Sequence, residues 1–316
     1  NYQADEKVSD LLIPPDLTKP NTQELLTEVS ESGNIDINGI NSNVKLVRDN
    51  YSRWLLVDLP SDKVWSLSKE FFRGYGFKIE KENQQIGIFE TDYLEIETKV
   101  PEKSLGVFRT ALAKALKTRY GLPIADKYRI RIEPIDSQKK SEIYLTLSSI
   151  GEVVNGEMRL WQPRDKDVEL ETEMLLKLML FLGANESKAI SQIEKNTEKK
   201  TNNVKVAKSE TGFASLVFPY NRKETWRLLG WSLDELGIDI EDRDSIDGSY
   251  FIKFEPSKGF FSKLVNTTSS IKIFQLYIKE VSGSSSEVYF VDLSQENKED
   301  SIEYSFELFN NISIKF

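Results

Sequence analysis

Leu55-Leu56-Val57-Asp58-Leu59-Pro60-Ser61-Asp62-Lys63-Val64-Trp65 opens a stretch, residues 55–93, that the chain writes twice. An ungapped offset of 161 positions lays residues 216–254 on it. Leu55 then meets Leu216, Trp65 meets Trp226, Leu67 meets Leu228, Gly76 meets Gly237, Ile79-Glu80 meets Ile240-Glu241, and Gly87 meets Gly248. Identity is sparse, but the structural punctuation keeps step. In the first copy an apolar strand, Trp54-Leu55-Leu56-Val57, runs into Ser61-Asp62, a polar pair able to cap a helix. Val64, Leu67, Ser68, Phe71 and Tyr75 follow at helical spacing, and Trp65 and Phe72 widen the apolar face. Gly76 stops the helix. Phe77-Lys78-Ile79-Glu80 alternates as a strand, and Ile86-Gly87-Ile88-Phe89 resumes after a polar turn. The second copy repeats the order around Trp226, Leu229, Leu233 and Leu236. A strand–helix–strand–strand unit used twice predicts two domains of one kind.

The length of 316 residues suits two domains, each able to bury a core. Hydrophobic residues make up 39% and charged residues 29%, the balance of a soluble globular chain. No apolar run approaches the roughly 18 residues of a membrane span. A net charge of −9 argues against a nucleic-acid partner, because phosphate-binding domains are basic. Histidine and cysteine are both absent. That removes Ser-His and Cys-His nucleophiles, disulfides and nearly all zinc chemistry. The expectation is a protein that is not an enzyme, with no catalytic residue, metal or cofactor. The chain opens at Asn1 without methionine, as a mature or trimmed chain would.

Outside the repeat, residues 1–43 read as an extended or disordered segment, too polar to fold alone. Across residues 1–50 acidic residues outnumber basic ones nine to four. Within it lies Leu11-Leu12-Ile13-Pro14-Pro15-Asp16-Leu17. Two prolines preorder an extended backbone between apolar side chains, which limits the entropy lost on docking. The residues alone leave open a docking peptide or a plain tail.

The first domain is expected over residues 44–183. After the repeat unit, Leu105, Phe108, Leu112, Ala115 and Leu116 share one helical face, with Arg109, Lys114, Lys117 and Arg119 on the others. Such a helix covers a sheet edge with its charged side solvated, although a membrane-surface role fits the same pattern. Residues 128–133 and 142–147 alternate as strands, joined by a hairpin across Asp136-Ser137-Gln138. Trp161-Gln162-Pro163-Arg164 leads into a helix lined by Val168, Leu175, Leu178, Met179 and Leu182. Trp161 fits a core edge or a contact surface equally. Residues 184–210, rich in Lys, Asn and Glu, read as a linker. Residues 211–316 read as the second domain, with residues 274–278 echoing 128–132 and 286–290 echoing 141–145. Each domain is therefore expected to be α+β, an antiparallel sheet with helices on one face.

Trp65 and Trp226 sit on the buried face of their helices and read as core. The acidic clusters Glu241-Asp242-Arg243-Asp244 and Glu169–Glu173 lack the alternation and glycine of a calcium loop and read as solvated faces. Glu80 and Glu241 recur at equal positions, but neither is paired as acid with base.

Together these motifs resemble those of the BamC (NlpB) family of outer-membrane assembly lipoproteins. The residues concerned are 54–57, Val64-Trp65, Gly76-Phe77, 87–92, Lys99-Val100-Pro101, 126–131, Trp161-Gln162-Pro163-Arg164 and 171–175, with Pro14-Pro15-Asp16-Leu17 fitting the family's N-terminal segment. The resemblance implies two helix-grip domains preceded by an extended N-terminal segment. It implies a non-enzymatic accessory subunit of the β-barrel assembly machinery, on the outer membrane and facing the periplasm. Its lipid anchor would sit on a cysteine just ahead of Asn1. It further implies that Leu12, Ile13, Pro14, Pro15, Asp16 and Leu17 contact a BamD-like partner lipoprotein within the wider complex. Phe72 and Tyr93 depart from the family, standing where tryptophans are common. A rival reading is an envelope carrier holding a lipid or hydrophobic ligand between helix and sheet. The large inward residues Trp65, Phe71, Phe72, Tyr75 and Phe77 favour the scaffold.

Overall fold

The computed structural model describes residues 43–95, 123–155, 158–184, 204–254, 271–294 and 298–316. The amphipathic stretch at 101–120 and the docking motif at 11–17 lie outside these residues. In the first unit β1 (Val44–Arg48) and β2 (Arg53–Val57) lead into α1 (Ser61–Gly74). Then come β3 (Ile79–Asn83), β4 (Ile88–Thr91), β5 (Leu94–Glu95), β6 (Ile124–Ile135), β7 (Lys140–Asn155), β8 (Met158–Pro163) and α2 (Val168–Phe181). The second unit runs β9 (Lys205–Lys208), β10 (Ala214–Phe218), α3 (Arg222–Glu235), β11 (Asp239–Asp244), β12 (Ser249–Phe254), β13 (Lys272–Ser282), β14 (Ser285–Asp292) and α4 (Lys298–Ser313). The architecture is α+β: two antiparallel sheets, each packed with helices.

The strand order is β1-β2-β7-β6-β4-β3 in the first sheet and β9-β10-β14-β13-β12-β11 in the second, the same order position for position. The duplication reaches single hydrogen bonds. Gly76 and Gly237 end α1 and α3 with φ of 90° and 64°, a left-handed turn open to glycine. Behind them Phe77 N–H donates to the Phe72 carbonyl, and Ile238 N–H donates to the Leu233 carbonyl, both at 3.0 Å. The Gly87 carbonyl accepts from Ile132 N–H at 2.8 Å, and that of Gly248 accepts from Ile278 N–H at 2.9 Å.

Some boundaries differ from the sequence reading. Pro60, not Ser61, is the N-cap of α1; it is extended and offers no side-chain bond, so Ser61 becomes the first helical residue. Asp62 still meets the positive end of the helix dipole in the first turn. Asn221 and Asp167 do cap α3 and α2, each accepting a backbone N–H at 2.9 Å. The strand β9 falls inside the span read as linker and adds to the edge of the second sheet, where Lys205 and Lys208 keep their charges in solvent while Val206 packs inward. The expected hairpin at Asp136-Ser137-Gln138 is present, with all three residues at positive φ. Trp161 lies on β8 and is exposed, so it is no part of the core edge.

One core lies between the first sheet and α1 with α2. Leu55, Val57, Tyr128, Ile130, Ile132, Ile143 and Leu145 of the sheet meet Val64, Phe72, Leu178 and Met179 of the helices, all buried. Trp65 packs edge-on to Phe89 at 5.2 Å. In the second core Trp226 stacks on Tyr250 at 4.0 Å. Both tryptophans are buried, as their helical spacing required. A substantial part of each unit's stability comes from this apolar burial.

Candidate functional site

Alternation on β6 predicts one apolar face and one polar face, and the polar one would ordinarily meet water. Here it does not. Arg129, Arg131 and Glu133 point away from the first core, yet all three are buried, Arg131 completely. What covers them is α3, the first helix of the second unit. The helix is therefore shared: Leu228, Leu229 and Leu233 fill its own core, while Trp226, Arg227, Gly230 and Asp234 face the first sheet.

Asp234 is the centre of the contact. Its Oδ2 accepts from Arg131 Nε at 2.6 Å. Its Oδ1 lies 3.2 Å from Arg129 Nε, an ion pair without hydrogen-bond alignment. Arg129 also donates through Nη1 to the carbonyl of Ile238 at 2.7 Å. Glu133 Oε2 accepts from Trp226 Nε1 at 2.9 Å, while Oε1 pairs with Arg131 and, at 2.9 Å, with Arg243. Arg243, in turn, donates to the Ile132 carbonyl at 2.8 Å. The Arg131 guanidinium lies over the Tyr144 ring at 4.1 Å, and that of Arg227 over Trp54 at 4.4 Å. Each charge taken out of water thus has a counter-charge or a ring.

The electrostatics follow this geometry. Burial disfavours the Arg131 cation, but the Asp234 carboxylate together with Tyr250 and Tyr144 outweighs it and holds its pKa above the usual arginine value. Arg243 goes the other way: burial, reinforced by Arg131, brings it down to about 10. Burial pushes the Tyr250 hydroxyl up to about 12. At neutral pH these groups keep fixed charge states, which suits a structural contact.

Two flanking contacts widen the interface. Tyr51, in the β1–β2 turn, packs edge-on to Phe316 at 4.7 Å and lies 6.4 Å from Trp231. Asp49 in the same turn pairs with Arg227. On the other side Lys166 bridges Glu171 of α2, at 2.7 Å, and Glu235 of α3. Glu171, expected on a solvated acidic face, is instead drawn inward, accepting from Leu147 N–H at 2.9 Å. Glu80 pairs with Lys127, and Glu241 approaches Lys253 at 3.8 Å. Beside the interface a cleft of about 790 Å³ is lined by Trp54, Glu133, Trp226, Arg227, Glu142 and Glu280. Among the described residues no group of three or more acidic side chains is placed to hold a metal ion. None of their helices is long and apolar enough to cross a membrane.

Gly230 makes the contact possible. A Cβ there would stand 2.5 Å from the Tyr250 hydroxyl and 3.1 Å from Arg131 Cζ. Gly230→Val is therefore expected to destabilise by about 1–3 kcal/mol through overpacking, more than it gains in helix propensity. A denaturant titration of the variant against the parent checks this. The sequence carried a signal for this site: two arginines and a glutamate on one face of a strand, and a glycine within an otherwise regular helix. The partner of each was not legible. The sequence-predicted residues Leu12, Ile13, Pro14, Pro15, Asp16 and Leu17 lie outside the described structure.

Comparison with known proteins agrees with this architecture. Residues 204–313 match the model of the outer membrane protein assembly factor BamC-like C-terminal domain. That segment begins one residue before β9 and contains the whole second sheet. The chain is 31% identical over 295 residues to an outer membrane protein assembly factor BamC of Thiobacillus denitrificans, covering 84% of this chain and 78% of the relative. It is 29% identical over 290 residues to that of Accumulibacter regalis, covering 82% and 75%. It is 26% identical over 241 residues to that of Shewanella oneidensis, covering 75% and 60%. With 31% identity to one such factor over 84% of its own length and a matching C-terminal domain, the chain belongs to the BamC family of outer-membrane protein assembly factors.

Proposed function

We propose that this protein is a non-enzymatic accessory lipoprotein of the outer-membrane β-barrel assembly machinery, held on the periplasmic side by an N-terminal lipid. It docks onto a BamD-like lipoprotein through Leu12, Ile13, Pro14, Pro15, Asp16 and Leu17. Residues 1–43 serve as the partner-binding segment, 44–183 and the second unit as helix-grip domains, and the part of 184–210 ahead of β9 as the linker. Family membership is the observation that carries the reading. The N-terminal motif supplies the means: apolar side chains on a proline-stiffened backbone in an otherwise acidic segment. Asp10 and Asp16 add charge that steers the segment toward a basic surface.

The layout of the interior supports a scaffold over a carrier. Phe72 contacts Phe77, Phe89 and Tyr128 at 5.5–6.0 Å, so rings fill the space between α1 and its sheet. The charged groups of β6 hold the second unit and are occupied by doing so. The test is Leu12→Ser, Ile13→Ser and Leu17→Ser together. The triple variant is expected to bind the purified partner lipoprotein at least ~30-fold more weakly, the loss of one hot spot or more. Its unfolding transition should match the parent's. Parental affinity in the triple variant would place the anchor elsewhere.

A further inference from the structure

The duplication leaves one face without its counterpart. In the first sheet a cross-strand row on the outer face runs Val47–Trp54–Tyr144–Arg131–Ile88. Helix α3 lies over that row. In the second sheet the equivalent row runs Ala207–Ser215–Tyr289–Tyr277–Ser249. Each residue of one row stands at the strand position of its mate in the other, and the Tyr144–Glu142 hydrogen bond of 2.8 Å recurs as Tyr289–Glu287 at 2.6 Å. Yet Arg131 is fully buried, whereas Tyr277 at its position is 38% exposed; Tyr144 is 3% exposed, its mate Tyr289 half-buried, and Val291, in the neighbouring row, 37% exposed. Among the described residues nothing lies over the second row.

We propose that the outer face of the second sheet is a docking surface for an amphipathic α-helix of another protein chain. The helix would cross it as α3 crosses the first sheet. The molecule supplies the precedent, because the same row in the same topology is covered by a helix. The shape agrees: two tyrosines form a central ridge, and the small Ser215, Ser249 and Ala207 lie low on either side, so a helix backbone can approach closely. Five strands at about 4.8 Å spacing make the row roughly 19 Å wide, room for three to four turns of helix. The Ser215 hydroxyl is buried and has no hydrogen-bond partner. Lys205 and Lys279 flank the adjoining Val217–Glu287 row and carry no ion pair among the described residues. The occupant is therefore a helix with a small residue over the tyrosines and acidic residues toward the two lysines.

A second copy of this chain does not meet that description. In α1 the positions equivalent to Gly230 and Asp234 are Lys69 and Arg73. A stacked copy would bring two cations, and no small residue, to a face already bordered by lysines. The proposal is independent of where residues 11–17 dock.

Site-specific photo-crosslinking in the full-length protein, in its own envelope, tests it. p-Benzoylphenylalanine is placed at Tyr277, at Tyr289, and at Glu82, on a far edge of the first sheet, as the control. The expected result is crosslinking from 277 and 289 to one partner, at least ~10-fold above the control. Mass mapping should place the crosslinks within a single helical segment carrying small and acidic residues. A synthetic peptide of that segment should bind the purified protein, and Tyr289→Glu should weaken binding at least ~10-fold while leaving the melting temperature unchanged. Crosslinks no stronger than the control, crosslinks to a second copy of this chain, or crosslinks to an extended segment would each overturn the proposal.

Discussion

Asp234→Ala is expected to destabilise the protein by about 3–5 kcal/mol, the range for breaking one side of a buried ion pair. The reason is what stays behind. Arg131 is fully buried and Arg129 nearly so, and Asp234 is the acidic partner they share. Glu133 still faces Arg131, but it is already committed to Arg243 and Trp226. Losing Asp234 leaves Arg131 with only the shared Glu133, and Arg129 with Glu90 at 3.6 Å, in a site that water reaches poorly. The interface should weaken before either core does, so the parent is expected to unfold in one denaturant transition and the variant in two. Equilibrium urea unfolding followed by tryptophan fluorescence and by far-UV circular dichroism reads this directly. The double variant Asp234→Leu with Arg131→Met removes the closest pair of charges and should recover part of the loss, because that pair's own net contribution is small while Arg129 still lacks Asp234. A single variant that unfolds at the parent's midpoint would show that the arginines find other partners.

Trp65→Ala and Trp226→Ala should each cost about 3–5 kcal/mol, the usual range for truncating a large buried ring. Their consequences should differ. Trp65 touches Phe89 within its own unit, so its loss opens a cavity in the first core and leaves the second unit standing. Trp226 stacks on Tyr250 and donates to Glu133 of the other unit. Its removal weakens the second core and also leaves an acceptor at the interface without its donor. Amide hydrogen exchange separates the two cases. The Trp65 variant should lose protection on α1 and β4 alone, whereas the Trp226 variant should lose it on α3, β12 and β6. Identical exchange maps would argue against the shared role of α3.

The repeat explains why so much of the fold was legible. Helical spacing around Val64 and Phe71, period-two alternation on β6 and β13, and glycines at 76, 87, 237 and 248 are all local rules. Each names an element or a turn from a few neighbouring residues. Because the second copy restates them, the likeness of the two units came with them, while the strand order came from the structure. The corrections arose where a neighbour in space competes with a neighbour in sequence. Ser61 looked like a cap, but the chain enters α1 through an extended Pro60 whose carbonyl takes the first helical bonds. Glu171 looked solvated, but Lys166 and the Leu147 amide draw it inward.

By itself, then, the sequence determined two α+β units, the strands and helices of the repeat, the buried faces of both repeat helices, and the lack of histidine and cysteine chemistry. These depend on spacing, propensity and residue type, which are properties of short stretches. Only the tertiary structure decided what the polar faces do. Arg129, Arg131 and Glu133 alternate with apolar neighbours as any half-solvated strand would. Nothing within residues 124–135 says whether the charges meet water or a carboxylate more than a hundred positions away. That pairing exists because Gly230 lets Arg131 lie close against α3 and reach Asp234 one turn on, and it is set by the docking of two folded units. Tyr277, the strand counterpart of Arg131 in the second sheet, has no such helix above it among the described residues. The two copies share a fold, and their outer faces have parted in role.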